Sequence, residues 1–220
     1  RLGRLEESVL DEAAGRIIGK VLQYENTPTG EDFAREEHHE LAVEAAAESA
    51  VLLKNENQLL PLKEGRKVVF TGRFAEAPRF QGGGSACVNP FKLTNARQEA
   101  AGISGVSYVP GFTEEEDCVN EAWQKEALDA AACADAVVIF AGLPEIFESE
   151  SYDRPDMRLP FCQNQLIEAV CAVQKNVVVV LCAGSAVEMP WAGRVSSILQ
   201  MHTGGQGTGT AAVDLLYGRK

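Results

Sequence analysis

Between Leu143 and Pro160 the sequence crowds Glu145, Glu148, Glu150, Asp153 and Asp156 together, with Arg154 and Arg158 set among them. Carboxyl groups this close raise one another's pKa, and a neighbouring guanidinium lowers it. A carboxylic acid kept protonated near neutral pH can serve as a general acid, and the same group once ionised as a general base. A solvated acidic loop is the commoner meaning of such a cluster. Calcium ligation is a further alternative, although the glycine and the Asp/Asn alternation of an EF-hand loop are missing. On residue types alone all three stay open.

The other reactive side chains offer less. None of the six cysteines, Cys87, Cys118, Cys133, Cys162, Cys171 and Cys182, forms a C-x-x-C pair, and His38, His39 and His202 lie far from them in sequence. Cys133, Cys171 and Cys182 fall in apolar runs, where a thiol behaves as a small hydrophobe. Free thiols of a reducing cytosol are the reading preferred, and no metal site is expected. His38 and His39 should face solvent or cap a helix, and His202 should sit at a cleft edge or in the core. The run GGQGTGTA (204–211) opens a helix, and glycines at a helix N-terminus can bind phosphate. A nucleotide- or phosphosugar-binding module is therefore an alternative, but the run fits neither a Walker A loop nor a G-x-G-x-x-G fingerprint, and tight helix packing explains it better. Trp123 and Trp191 keep a non-catalytic carbohydrate-binding module in view, with packing the stronger explanation of each.

The elements that must position these groups read as α/β. Apolar residues at helical spacing mark a helix over 5–22, and an alanine-rich stretch marks a second over 37–54. Strands are expected at 67–72, 106–110, 136–142, 176–184 and 196–202, and helices near 117–132, 161–174 and 205–217. Continuous apolar strands between helices indicate a mostly parallel sheet between layers of helices, a three-layer sandwich. Such a sheet places ligands at the carboxyl ends of its strands. Two long connections follow predicted strands, 72–95 and 143–160, and both should emerge at that edge. Loops this long inside a compact domain commonly carry function.

Composition narrows the partners. The chain has 220 residues, 45% hydrophobic and 24% charged, with a formal charge of −12. That balance argues against a phosphate-tracking surface, so no nucleic-acid partner is expected. No run approaches the ~20 apolar residues of a membrane span, so no membrane partner is expected either.

Several stretches together resemble glycoside hydrolase family 3, the family of many β-glucosidases. ESESYDRPDMRLPFCQNQLIEAV is similar to that family's E-x-E-G-Y-D-R…L-P…Q…L-I segment. HHELAVEAAAESAVLLKNENQLLPL (38–62), RFQGGGSACVNP (79–90), VVVLCAGSAVEMPW (178–191) and GGQGTGTAAVDLLYG (204–218) resemble further segments in the family's order. The resemblance implies the α/β sandwich domain of a retaining β-glycosidase, acting on a small carbohydrate without cofactor or metal. Its nucleophile would lie on a (β/α)8 barrel of the same polypeptide. Residues 1–25 then resemble the barrel's last helix, 26–36 a linker and 37–220 the sandwich. The chain reads as part of a longer protein, inactive alone, with an apolar docking surface left exposed. An upstream signal peptide would override the cytosolic placement.

Residue by residue, the resemblance places the acid/base on Glu150 and a positioning role on Glu148. It assigns Asp153 and Arg154 to a structural ion pair, and Arg79, Gln81 and Ser85 to the lining of the cleft. Ser151 stands where the motif has glycine, and a positive φ there would strain it. Phe80 replaces the usual tyrosine.

Overall fold

The computed structural model describes residues 5–28, 30, 33–113 and 117–220. The chain divides into two compact units, Arg1–Arg35 and Glu36–Lys220. The first holds α1 (Glu7–Glu25), which buries none of its residues. Its apolar stripe, Val9, Leu10, Ile17, Ile18, Val21 and Leu22, is 49–68% exposed. Asn26 and Thr27 end it by turning their side chains onto the carbonyls of Leu22 and Gln23, each at 2.7 Å.

The second unit opens with α2 (Arg35–Ser49), which stops short of the helix expected over 37–54. Val51–Asn55 instead forms β1, pairing antiparallel with β6 (Ser197–Gln200) through Val51 with Gln200 and Leu52 with Leu199. Pairing with a distant strand outweighs the local helical preference of the alanine run. β2 (Val68–Thr71), β3 (Val106–Val109), β4 (Ala136–Gly142) and β5 (Val177–Cys182) complete one six-stranded sheet in the order β1-β6-β5-β4-β2-β3. Every neighbouring pair except β1 with β6 is parallel. β4 and β5 are buried at every position, as a strand covered on both faces must be.

Helices α4 (Glu121–Ala132), α5 (Phe161–Val173) and α6 (Thr208–Leu216), with the short α3 (Ala96–Glu99), supply the cover. α4 starts at Glu121, later than the expected 117, because Asn120 caps it: its carboxamide oxygen accepts the Trp123 N–H at 3.1 Å. The glycine run before α6 serves packing. A Cβ on Gly207 would lie 2.7 Å from the Val43 backbone of α2, and one on Gly209 would lie 2.4 Å from the Asn95 backbone. Packing therefore accounts for both glycines. His39 is buried rather than solvent-facing, with its Nδ1 2.9 Å from Gln206 Nε2. Trp191 is fully buried and donates to Asn164 Oδ1 at 2.9 Å, so packing and not sugar stacking is its role. No disulfide joins any of the six cysteines, and Cys133 proves exposed rather than part of the core. No helix among the described residues is long and apolar enough to cross a membrane.

β3 and β4 flank β2 on opposite sides, so the chain reverses its direction of travel across the sheet between β2 and β4. In doubly wound sheets the crevice beyond the carboxyl ends at such a reversal is where ligands bind. The two long loops leave the sheet there, 72–95 from β2 and 143–160 from β4.

Candidate active site

The two loops are held together by the glutamates of the acidic segment. Glu150 Oε2 accepts the Ser85 N–H at 2.9 Å. Gly84, at φ +74°, lies so close to Glu150 that a Cβ would stand 2.7 Å from the Glu150 Cβ, and the left-handed backbone independently favours glycine. Glu148 faces the other way: its carboxylate accepts Gly184 N–H at 3.1 Å and Ser185 Oγ–H at 2.6 Å. One acidic strand-end loop is therefore bonded to the loop after β2 and to the loop after β5. The third loop was not expected at the site, and its only sequence signal is the AGS turn that ends an apolar strand.

The carboxylates do not crowd one another as the sequence suggested. Glu150 is fully solvent-exposed, and hydrogen bonds from Ser85, its side chain first and then its backbone N–H, hold its pKa below the ordinary carboxylate range. Asp156 is likewise lowered, chiefly by Arg158, which donates to it at 2.9 Å. In this chain Glu150 is thus ionised near neutral pH and suited to accept a proton. A depressed pKa means the tie to Ser85 is complete at higher pH and weakens as pH falls through the lowered value. Carbon-13 NMR of the Glu150 carboxyl should show a midpoint below the ordinary glutamate range, and a raised midpoint would contradict this geometry.

Other expected site residues take different roles. Arg79 is buried; it donates to the Leu143 carbonyl at 3.1 Å and to the Gln81 carbonyl, bracing the loops, and it lines the cleft with its Nη2 left without a partner. Gln81 is spent on Val88, accepting its N–H at 3.0 Å and donating to its carbonyl at 3.3 Å, which closes the 81–88 loop on itself. Of the three expected cleft residues only Ser85 reaches Glu150. No ion pair joins Asp153 to Arg154 among the described residues. Arg154 donates to the Ala186 carbonyl at 2.8 Å, and the loop's ion pair is Asp156 with Arg158. Gln163 carries an unexpected support: buried in α5, it accepts the Gly142 N–H at 2.8 Å and fixes the point where the acidic loop leaves β4.

Ser151 has φ +63°, in the left-handed region. An L-residue other than glycine loses about 1 kcal/mol there, partly offset by the entropy glycine surrenders on folding. Ser151→Gly should therefore stabilise the chain by about 0.5–1 kcal/mol, read as a higher midpoint in urea unfolding. A lower midpoint would contradict the strain.

An open cleft of ≈ 790 Å³ is lined by Arg79, Glu148, Tyr152, Asp153, Arg154 and Ser185 among others; Glu150 and Ser85 are not among its lining residues. Carboxylates, a hydroxyl and an aromatic ring suit a neutral polyhydroxylated ligand. Among the described residues no group of His, Cys, Asp and Glu is arranged to hold a metal ion.

A family model described as the glycosyl hydrolase family 3 C-terminal domain matches residues 50–220. The chain is 43% identical to thermostable beta-glucosidase B of Acetivibrio thermocellus, covering 98% of this chain and 29% of that protein. It is 37% identical to an exo-alpha-(1->6)-L-arabinopyranosidase of Bifidobacterium breve, covering 100% of this chain and 31% of the relative. Among solved structures, a GH3 beta-glucosidase of Bifidobacterium adolescentis superposes with a TM-score of 0.85 at 38% identity, over 100% of this chain and 33% of that one. The chain thus spans about a third of the length of the relatives it matches.

Proposed function

Because the chain belongs to glycosyl hydrolase family 3, as the family's C-terminal domain, we propose that it is the acid/base-bearing part of a retaining β-glycosidase. Glu150 is the proton donor and acceptor, and the nucleophilic carboxylate lies on a barrel domain of the same polypeptide. The observation that carries this reading is the place of Glu150: at the carboxyl edge of the sheet, beside the β2/β4 reversal, fixed by the Ser85 N–H yet open to solvent. A proton shuttle needs a carboxylate held in position but not consumed by an ion pair.

Retention requires two carboxyl groups ~5–5.5 Å apart, one attacking the anomeric carbon and one protonating the leaving oxygen. In the first step Glu150 gives its proton to the departing oxygen as the glycosyl–carboxylate bond forms. In the second it takes a proton from water as the water displaces the nucleophile. Glu150 is ionised near neutral pH in this chain, so its acid form depends on the rest of the protein. Arrival of a second carboxylate and exclusion of water both raise a carboxyl pKa. Glu148 acts as a positioning residue through Gly184 and Ser185. The exposed stripe of α1 and the exposed Val51, Leu52 and Leu53 of β1 are apolar surface for the barrel to cover.

The substrate is a small β-glucoside or related sugar. The match to an arabinopyranosidase as well as to glucosidases fits a domain that supplies proton transfer while sugar identity is read elsewhere. Proton NMR of the first anomer released from an aryl β-glucoside by the full-length protein should show retained β configuration. Release of the α anomer would mean inversion and remove the two-step role assigned to Glu150.

A further inference from the structure

Trp123 takes no part in the cleft lined by Glu148. Of the two tryptophans, Trp191 is fully buried, whereas Trp123 is half-buried in the first turn of α4. It lines a second pocket of ≈ 430 Å³ together with Arg73, Glu76, Arg97 and Tyr108, and the two pockets share no lining residue. That volume lies within the range typical of small-molecule sites.

The polar groups of this pocket form a fixed array. Glu76 accepts from Arg73 with one oxygen and from Arg97 with the other. The Arg97 guanidinium also lies over the Tyr108 ring, 4.8 Å from its centroid. Burial first, and then the Glu76 charge, push the Tyr108 hydroxyl up to about 12, so it stays a neutral hydrogen-bonding group. An anion entering here competes with Glu76 for both guanidiniums, and a cation meets two arginines. A neutral ligand can use the remaining N–H donors and carboxylate lone pairs without breaking the network. A pyranose ring has the matching shape: one face of C–H groups for an indole and a rim of hydroxyls for planar guanidinium and carboxylate groups.

We propose that this pocket is a non-catalytic binding site for the end of a neutral oligosaccharide, with one pyranose stacked on Trp123 and its hydroxyls bonded to Arg73, Glu76 and Arg97. The site is independent of the proton chemistry assigned to Glu150.

The test is a tryptophan-fluorescence titration of the full 220-residue chain with cellobiose. Trp123 reports on the pocket, and the buried Trp191 serves as the folding control. A saturable change is expected, equal in Glu150→Gln. Arg97→Ala should weaken it at least about tenfold, which corresponds to about 1.4 kcal/mol. Trp123→Ala, followed by calorimetry because it removes the fluorophore, should abolish binding and decides the matter if Arg97→Ala unfolds. Three results would overturn the proposal: no response to cellobiose, a response lost in Glu150→Gln, or tighter binding of glucuronate than of cellobiose, which would make the pocket an anion site.

Discussion

Glu150→Gly in the full-length protein is expected to lower steady-state hydrolysis of an unactivated β-glucoside by ~10²–10⁴-fold, the usual range for a lost general acid–base group. An aryl β-glucoside with a good leaving group separates the two steps. Departure of such a phenolate needs little protonation, so the glycosyl–enzyme still forms and releases a burst of phenol. Its hydrolysis then lacks the base that Glu150 provides and becomes slow. Azide needs no base, and the space left by the glutamate admits it. Added azide should restore turnover and yield a glycosyl azide of retained configuration. An undiminished rate in the variant would sink the assignment. Loss without azide rescue would indicate a displaced loop, which is plausible only if the Ser85 tie matters more than the proton.

Gly142→Ala should produce the largest loss of stability of any single methyl added near the site. A Cβ at this position would lie 1.9 Å from the Cys182 carbonyl oxygen and 2.6 Å from its carbon, both backbone atoms of the adjoining strand β5. No rotamer relieves a clash with backbone, so β4 and β5 must separate where they pair as Gly142 with Cys182. The Leu143 N–H bond to the Cys182 carbonyl at 3.1 Å goes with them. Overpacking costs about 1–3 kcal/mol and a lost hydrogen bond about 1 kcal/mol, so a total of about 3 kcal/mol is expected. For a chain of this size that lowers the Tm by roughly 6–12 °C, measurable by circular dichroism. The acidic loop starts at the next residue, so activity of the full-length protein should fall as well. A Tm within about 2 °C of the parent would show that the strand ends yield more easily than their packing implies.

The sequence by itself determined the α/β class, the apolar strands and the two long loops at one edge of the sheet. It did so because burial on both faces leaves a continuous β-branched run that no exposed segment needs. Order and identity of several motifs together also determined the family, and showed Ser151 standing where its motif has glycine. Only the tertiary structure decided how the site is held. The alanine-rich stretch gave no sign that Val51–Asn55 would leave the helix, because that choice rests on a partner strand near residue 200. Gln81 read as a ligand-binding type, yet it serves the Val88 carbonyl and amide, and Arg79 is held at the cleft by carbonyls that come within reach only after folding. The acidic cluster read as mutually repelling carboxylates, and the fold instead turns Glu148 to Ser185, Glu150 to Ser85 and Asp156 to Arg158. Spacing along a chain fixes which charges are neighbours in sequence. The direction each side chain takes is fixed by donors from other strand ends, and those are visible only in three dimensions.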